Sequence, residues 1–522
     1  MRNKNDSDEW TLPSTAETDS YIDIGSPVDG RNAVLALAVT PRHEFIGVDS
    51  PLTTTQACVT VKACDIPLDD DTRSPVDIVV ALDISVSMTG KKLKLCKQTL
   101  EMLVRVLGSK DRFGLISYGS EAWVSIPAQF MSHENKKRVL SMIKTICTNG
   151  GTNLSGGFTL AAQEMQSISS PNQVRSIFLL TDGCANEGVT DTPGLVSIVR
   201  NSTATCVVPT EQFRHSCHLK TEKRVPVSDK EQSTVDMKQP ISVHCFGYGS
   251  DHDSGMLQAI ADATPGGTYY FVESDANVAS AFGDAIGGLL SVVAQSAVIT
   301  IAVPPAAADL GVRILDVYHE EKIQRDNGTY TVSLGDFYAE ETRDVLFEME
   351  VARVPHGSLD PIGHALISLH YTDTINYTSC TVDDVLCCVQ RPAGAALSKE
   401  NPHVKVQWLR LFTAREIEAA DRDARSDNLS SARTRLTHII SNIQASPSEI
   451  QSHPLVMGLE SDVNALMQGF DSRERYQTFG KHLAMAKQRT HMTQRCVEAS
   501  PDTVNAYRGK TKMRLSTMFQ KK

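Results

Sequence analysis

Several features that would assign this chain of 522 residues to a protein class are scarce or missing. The first ten residues, MRNKNDSDEW, are polar and charged and contain no apolar segment of the kind found in secretory signals. The twelve cysteines show no C-x-x-C spacing, which excludes most zinc-finger and thioredoxin-type sites. We therefore expect a cytoplasmic protein whose thiols are reduced.

Long hydrophobic runs are also scarce. Residues 285–308 carry no charge, but glycines, serines and the pair Pro304–Pro305 dilute their apolar character. A membrane span needs about 20 predominantly apolar residues. We interpret this segment as a buried helix that runs into a β-strand, and we expect no membrane span.

Positive charge is in short supply and is placed unevenly. The chain has 51 Lys and Arg against 62 Asp and Glu, a net charge of −11, so we expect no DNA partner for the chain as a whole. Residues 396–522 nevertheless carry a net charge of +7, and residues 473–522 alone carry +9. Such a basic end could contact an anionic membrane, RNA, an acidic protein surface, the acidic body of its own chain or only solvent.

The pattern of apolar residues predicts an α/β domain with two flanking parts. VDIVVALD (76–83) is nearly continuous in apolar residues, which is typical of a strand buried on both faces, and helical patterns alternate with further buried strands. We predict these parts: an untethered tail at 1–30, a β-sandwich from 31–66 and 297–395, the α/β domain at 74–296 with a polar insertion at 201–240, helices at 396–495, and a basic tail at 496–522.

Polar side chains gather where the predicted buried strands end. Asp83, Ser85 and Ser87 follow the first buried strand, Thr152 lies in a glycine-rich turn, and Asp182 follows a later strand. The carboxyl ends of parallel strands meet at one crevice of the sheet, where ligands bind. All five side chains offer hard oxygen ligands, which favours Mg²⁺, Mn²⁺ or Ca²⁺ over zinc. We expect a binding site with an open position that attracts a carboxylate from outside.

This set resembles the metal-ion-dependent adhesion site of the von Willebrand factor type A domain. The phrases VALDISVSM, DRFGLISYGS, GGTNLSGG and FLLTDG match that family in order and spacing over roughly residues 74–290. The resemblance implies a Rossmann-like fold in which Ser85 and Ser87 ligate the metal directly. It implies that Thr152 does so when a ligand is bound, that Asp83 and Asp182 act largely through water, and that an Asp or Glu of a protein partner completes the shell.

A narrower resemblance covers most of residues 32–495. The segment that begins CFGYGSDHDSG and the later phrases SLGDFYAEETRDVLFEMEV and FGKHLAMAKQRTHMTQR are similar to plant ubiquitin ligases with a RING finger and to protist proteins with a Hint domain. The last phrase falls in their helical "Vwaint" region. No RING can be built from these cysteines and there is no room for a Hint module, so we expect neither ligase activity of its own nor self-splicing.

Three other interpretations stay open. A serine nucleophile needs an adjacent base, and none lies in the strand-end turns, whereas a metal-activated hydrolase is compatible with the predicted site. His244 is expected in the core and His252 in loop hydrogen bonds. The group Cys206, His215, Cys217 and His218 has zinc-type ligands, but its spacing fits no known finger.

The expected function is that of a non-enzymatic, metal-dependent adaptor. A substrate-recruiting role in ubiquitin ligation and tail-driven binding are the alternatives.

Overall fold

The computed structural model describes residues 34–64, 73–183, 185–203, 240–249, 252–272, 275–325, 327–394, 396–495, 507, 509 and 513. The predicted tail at 1–30, nearly all of the predicted insertion at 201–240 and nearly all of the basic tail at 496–522 lie outside these residues. The group Cys206, His215, Cys217 and His218 lies outside them as well. The bounds of the predicted domains therefore stay predictions.

The strands are numbered here in chain order. They are β1 (Leu35–Pro41), β2 (Thr54–Ala63), β3 (Val76–Asp83), β4 (Arg112–Tyr118), β5 (Ala122–Phe130), β6 (Val174–Thr181), β7 (Ile241–Tyr248), β8 (Thr268–Val272), β9 (Val292–Ala302), β10 (Ile314–Val317), β11 (Lys322–Gln324), β12 (Tyr330–Tyr338), β13 (Thr342–Glu350), β14 (Ser358–Asp373) and β15 (Thr378–Arg391).

The helices follow the same numbering. They are α1 (Lys91–Val106), α2 (His133–Thr145), α3 (Leu154–Gln166), α4 (Thr192–Thr203), α5 (Ser254–Asp262), α6 (Asp275–Leu289), α7 (Pro305–Asp309), α8 (Pro402–Arg425), α9 (Leu429–Gln444), α10 (Ser448–Gln451), α11 (Pro454–Gly469), α12 (Arg473–Arg475) and α13 (Lys481–Thr493), with a 3₁₀ turn at Val86–Met88 and a π-type turn at Tyr476–Gly480.

The α/β part is built on a sheet of six strands in the order β5-β4-β3-β6-β7-β8. All neighbouring pairs are parallel except β4 and β5. Every residue of β3, β6 and β7 is buried, because α1, α2 and α6 pack on one face and α3, α4 and α5 on the other. The expected fold class is confirmed, and its central strand β3 coincides with the predicted run VDIVVALD.

The remaining strands form two antiparallel sheets that share one apolar core. Their orders are β1-β2-β13-β10 and β11-β12-β9-β14-β15. Because β2 pairs with β13, strands from both sides of the α/β part meet in one sheet, as expected for a sandwich interrupted by that part. The uncharged segment at 285–308 is the end of α6 followed by β9, as predicted. Within the described ranges, no helix combines the length and apolar composition needed to cross a membrane.

The C-terminal helices pack around their own core and against both other parts. Helices α8, α9, α11 and α13 contribute most of the buried side chains of this core. Arg489 of α13 pairs with Asp262 at the end of α5 and, at 2.7 Å, with Glu320. The described portion of the basic end therefore docks against acidic side chains of its own chain, which was one of the possibilities open from the sequence.

Arg495, just after α13, makes the most deeply buried of these contacts. Its side chain is 9% exposed, and its Nε donates to Glu341 Oε1 at 3.2 Å. It also donates to the backbone oxygen of Asp336 at 2.6 Å and lies over the ring of Tyr338 at 4.3 Å. Removal of this guanidinium would leave buried acceptors without one of their donors, which is costly away from water.

We expect Arg495→Met to lower the free energy of unfolding by about 2–3 kcal/mol, a little less than for a fully isolated buried pair because Arg343 still contacts Glu341. The matched control is Arg313→Met, whose side chain is 80% exposed and 3.9 Å from Glu350. That change should cost no more than about 0.5 kcal/mol. Urea denaturation followed by circular dichroism measures both, and equal effects of the two changes would contradict the docking.

Candidate functional site

The site lies where β3 and β6 end side by side. These strands are parallel, with Leu82 opposite Leu180, so Asp83 and Thr181 come next to each other at the carboxyl edge. The hydroxyl of Thr181 donates to Asp83 Oδ2 at 2.7 Å. The backbone N–H of Ser85 donates to Asp83 Oδ1 at 2.9 Å. Both oxygens of this fully buried carboxylate are thus held in place.

The two serines lie in the turn between β3 and α1. Ser85 is buried, whereas Ser87 is exposed in the short 3₁₀ turn that follows. Their Oγ atoms are 2.9 Å apart. The pair therefore presents two adjacent hydroxyl oxygens, one facing the interior and one facing solvent.

Thr152 is brought to this edge by the glycine-rich loop before α3. The N–H of Val86 donates to the carbonyl of Gly150, which ties the loop to the serine turn. Gly150 has a φ of +76°, and a Cβ there would come within 2.9 Å of the backbone nitrogen of Ser120, so this position requires glycine. The backbone N–H of the buried Thr152 donates to Asn186 Oδ1 at 2.8 Å, which links it to the segment after β6.

Asp182 directly follows β6 and is fully buried. Its Oδ2 accepts a hydrogen bond of 3.0 Å from Lys92 Nζ in the first turn of α1. This ammonium already supplies positive charge to the edge of the site. The structure thus places Asp83, Ser85, Ser87, Thr152 and Asp182 at the carboxyl edge of the sheet, in the ends of β3 and β6 and in the loop before α3 that is tied to them.

The donor set fits a hard divalent cation. The five side chains offer carboxylate and hydroxyl oxygens, the ligand types that Mg²⁺ and Ca²⁺ prefer. Burial raises the pKa of Asp83 from 3.8 to about 6, against the opposing hydrogen bonds from Ser85 and Thr181. A buried carboxylate with a raised pKa is stabilised by a nearby cation, so its ionised form suits a metal site.

The sequence interpretation assigned no role to two supporting groups. Thr181 precedes Asp182 and positions Asp83, and Lys92 pairs with Asp182. The signal for Thr181 was available, since a hydroxyl residue ends a buried strand next to Asp83. Lys92 is one of several lysines in its helix, and only the orientation of α1 distinguishes it.

The two histidines singled out in the sequence lie elsewhere. His244 is buried mid-strand in β7, edge-on to the ring of Phe178. His252 is buried at the end of the sheet and hydrogen-bonds the carbonyl of Gly249 and the hydroxyl of Tyr269. Both therefore have the core and loop roles expected of them.

A second cluster of ligand-type side chains exists away from this edge. Cys58 of β2, Asp344 of β13 and His403 of α8 lie together where the sandwich meets the helices. Sequence interpretation missed it, because the three residues are far apart in the chain and belong to no spaced motif.

We expect Asp83→Asn to stabilise the metal-free protein at neutral pH. Between pH 4 and 6 the folded wild type holds a proton on Asp83 that the unfolded chain has released, so its free energy of unfolding falls as the pH rises. The total loss over this window is about 3 kcal/mol, and the amide escapes it. Urea denaturation in EDTA at pH 4, 5, 6 and 7 tests this, and a difference between the two proteins that does not change with pH would contradict it.

A family model for the von Willebrand factor type A domain matches residues 77–284, a range that contains all five side chains. Such domains generally mediate protein–protein interactions, typically bind a divalent metal at this position and are generally not catalytic. The family thus accounts for hard oxygen ligands without a nucleophile and base.

Several curated proteins are similar to this chain. E3 ubiquitin-protein ligase WAV3 of Arabidopsis thaliana is 26% identical over 54% of this chain, which spans about a third (32%) of that ligase. The uncharacterized protein sll0103 of Synechocystis is 22% identical over 70% of this chain and 78% of its own. Inter-alpha-trypsin inhibitor heavy chain H1 of Homo sapiens is 30% identical over 24% of this chain and 14% of its own.

Among solved structures, a von Willebrand factor type A protein from Catenulispora acidiphila aligns with 88% of this chain and 96% of its own. The TM-score is 0.59 at 16% sequence identity, which shows a shared fold. The family match, the sheet order and this structural likeness lead to one conclusion: residues 77–284 of the chain form a von Willebrand factor type A domain.

Proposed function

We propose that the protein is a non-enzymatic adaptor that captures a partner protein through a divalent metal ion. Ser85, Ser87 and Thr152 would ligate Mg²⁺, or Mn²⁺ or Ca²⁺, with Asp83 and Asp182 acting largely through water. An Asp or Glu of the partner would complete the shell. The observation that carries this proposal is the convergence of five hard oxygen side chains at the carboxyl edge of a parallel sheet.

The geometry supports a site that is open to a protein on one side. Asp83, Asp182 and Thr152 are buried, so the negative charge lies beneath, while Ser87 and the neighbouring Val86 are exposed. Neutral hydroxyls near the surface leave a bound cation with unsatisfied positive charge. An acidic side chain of a partner is the ligand that this arrangement favours.

A metal-activated hydrolase is the less favoured use of the same site. Hydrolysis requires a base that positions the attacking water. His244 and His252, the histidines considered from the sequence, lie in the core and in loop hydrogen bonds rather than at the serine turn.

The cytoplasmic location stays a prediction from the sequence.

A role in ubiquitin ligation is the second candidate, because WAV3 is a ubiquitin ligase and resembles more than half of this chain. In this version the chain recruits the substrate and a separate protein supplies the ligase domain. Co-purification of a ligase, together with partner ubiquitylation that requires this chain, separates this role from that of a plain scaffold.

Binding of a membrane or RNA by the basic end is less well supported. Arg489 and Arg495 are already committed to acidic and carbonyl groups of the same chain. Nearly all of residues 496–522 lie outside the described residues. Such binding would be steeply dependent on salt and would not depend on Asp83.

We expect Asp83→Ala to abolish metal-dependent capture while the chain stays folded. The tagged protein is incubated with cell lysate in Mg²⁺ or in EDTA, and retained proteins are identified by mass spectrometry. Partners of the wild type should be retained in Mg²⁺ only. Asp191→Asn is the matched control, because it changes an exposed carboxylate that caps α4 on the same domain. Identical partners for Asp83→Ala and wild type would refute the proposal.

We expect Thr152→Ala to separate metal binding from partner capture. If Thr152 ligates the ion only when a partner is bound, its loss should change the affinity for Mn²⁺ by no more than about threefold, a fraction of 1 kcal/mol. Capture of the partners identified above should fall by at least about tenfold, or 1.4 kcal/mol. Electron paramagnetic resonance of free Mn²⁺ gives the first quantity and quantitative pull-down the second. Equal losses in both would assign Thr152 to the resting metal shell.

A further inference from the structure

We propose a second metal site, for Zn²⁺, formed by Cys58, Asp344 and His403 where the sandwich joins the C-terminal helices. The site is independent of the adhesion-type site and differs from it in ligand chemistry. It has one ligand from each of three elements, β2, β13 and α8, so a bound ion would connect the sheet to the helix directly.

The distances between the three ligand atoms come within about half an ångström of those in a tetrahedral zinc shell. Zn–S, Zn–N and Zn–O bonds of about 2.3, 2.0 and 2.0–2.2 Å place neighbouring ligand atoms about 3.3–3.6 Å apart. Cys58 Sγ lies 3.6 Å from Asp344 Oδ1 and 3.8 Å from His403 Nε2. His403 Nε2 and Asp344 Oδ1 are 2.9 Å apart. An ion at the centre requires shifts of only a few tenths of an ångström.

The ligand types select the metal. A thiolate, an imidazole and a carboxylate together suit Zn²⁺, whereas Mg²⁺ requires oxygen ligands in octahedral geometry. Cys58 and Asp344 as anions balance a divalent charge. The Cys58 side chain is fully buried and Asp344 nearly so, whereas His403 is 40% exposed and gives the ion an entry path and the fourth position access to water.

Neighbouring groups hold the ligands in position. The hydroxyl of Thr60 donates to Asp344 Oδ1 at 2.6 Å and lies 3.3 Å from His403 Nε2. The backbone of Asp344 is fixed by Gln494 and by Arg410 of α8. The affinity of a metal site depends on such hydrogen bonds from neighbouring groups to the ligating residues. The competing explanation is a metal-free cluster in which His403 and Asp344 form an ion pair and Cys58 donates to the carboxylate.

Zinc binding by the full chain decides between the two. Cys206 and Cys217, which lie outside the described residues, are replaced by serine throughout so that they contribute no zinc ligands. The chain is freed of metal with a chelator and titrated with Zn²⁺ against a zinc-responsive dye. With excess Mg²⁺ present to occupy the adhesion-type site, we expect one tight equivalent of zinc to bind, with an affinity at least about tenfold lower in Cys58→Ser and in His403→Gln.

Two controls make the result specific. Cys387→Ser changes another fully buried thiol of the same sandwich and should keep the equivalent of zinc. His403→Gln alters a partly exposed side chain, so it gives a reading even where Cys58→Ser fails to fold. With Co²⁺ in place of zinc, the thiolate-to-metal absorption band should vanish in Cys58→Ser and persist in Cys387→Ser.

The proposal is overturned if the parent chain binds no zinc, or if Cys58→Ser and His403→Gln bind it as tightly as the parent does. Either result would mean that Cys58, Asp344 and His403 form a metal-free cluster held by the ion pair between His403 and Asp344. Asp83→Ala should retain the zinc equivalent, and His403→Gln should retain Mg²⁺-dependent capture, so failure of one site is distinguishable from failure of the other.

Discussion

The buried carboxylate of Asp83 is the group on which the binding edge of the α/β domain depends. An ionised side chain with no exposure is costly in a protein interior unless hydrogen bonds or a cation compensate it. Two donors reach it, the N–H of Ser85 and the hydroxyl of Thr181, and they come from the ends of two adjacent parallel strands. Both donors can therefore reach Asp83 only when β3 and β6 pair in the observed register. That register depends in turn on the apolar side chains packed on both faces of the sheet.

The same constraint explains the local structure around the site. Because Asp83 takes its donors from the serine turn and from β6, the loop before α3 is free to approach from the other side. It does so through a close backbone contact at Gly150, where a Cβ would collide with the backbone of Ser120. Asn186 then fixes Thr152 from the segment after β6. The result is a set of hydroxyls beside buried carboxylates, each held by hydrogen bonds of the turn, of β6 or of the loop before α3.

Sequence patterns were sufficient for elements whose periodicity is strong. The buried run at β3 and the helix-to-strand transition at 285–308 could be predicted because burial on both faces leaves continuous apolar residues. β5 was not predicted, since it is an edge strand of mixed exposure and carries a proline at Pro127. Asp83, Ser85, Ser87, Thr152 and Asp182 could be nominated because they follow strand ends. Lys92 could not, because its role depends on the direction in which α1 leaves the serine turn.

Contacts between distant parts of the chain are the least accessible to sequence reasoning, and here they unite the three parts. Asp344 lies 286 residues after Cys58 and 59 before His403, and no spacing rule connects the three. The pairing of β2 with β13 places the first two together, and the packing of α8 on that sheet through Val404 and Leu411 adds the third. Arg489 and Arg495 secure the other end of the helical region against the α/β domain and the sandwich. The edge of the sheet that carries the candidate site therefore belongs to a body whose parts are linked by buried polar contacts as well as by apolar packing.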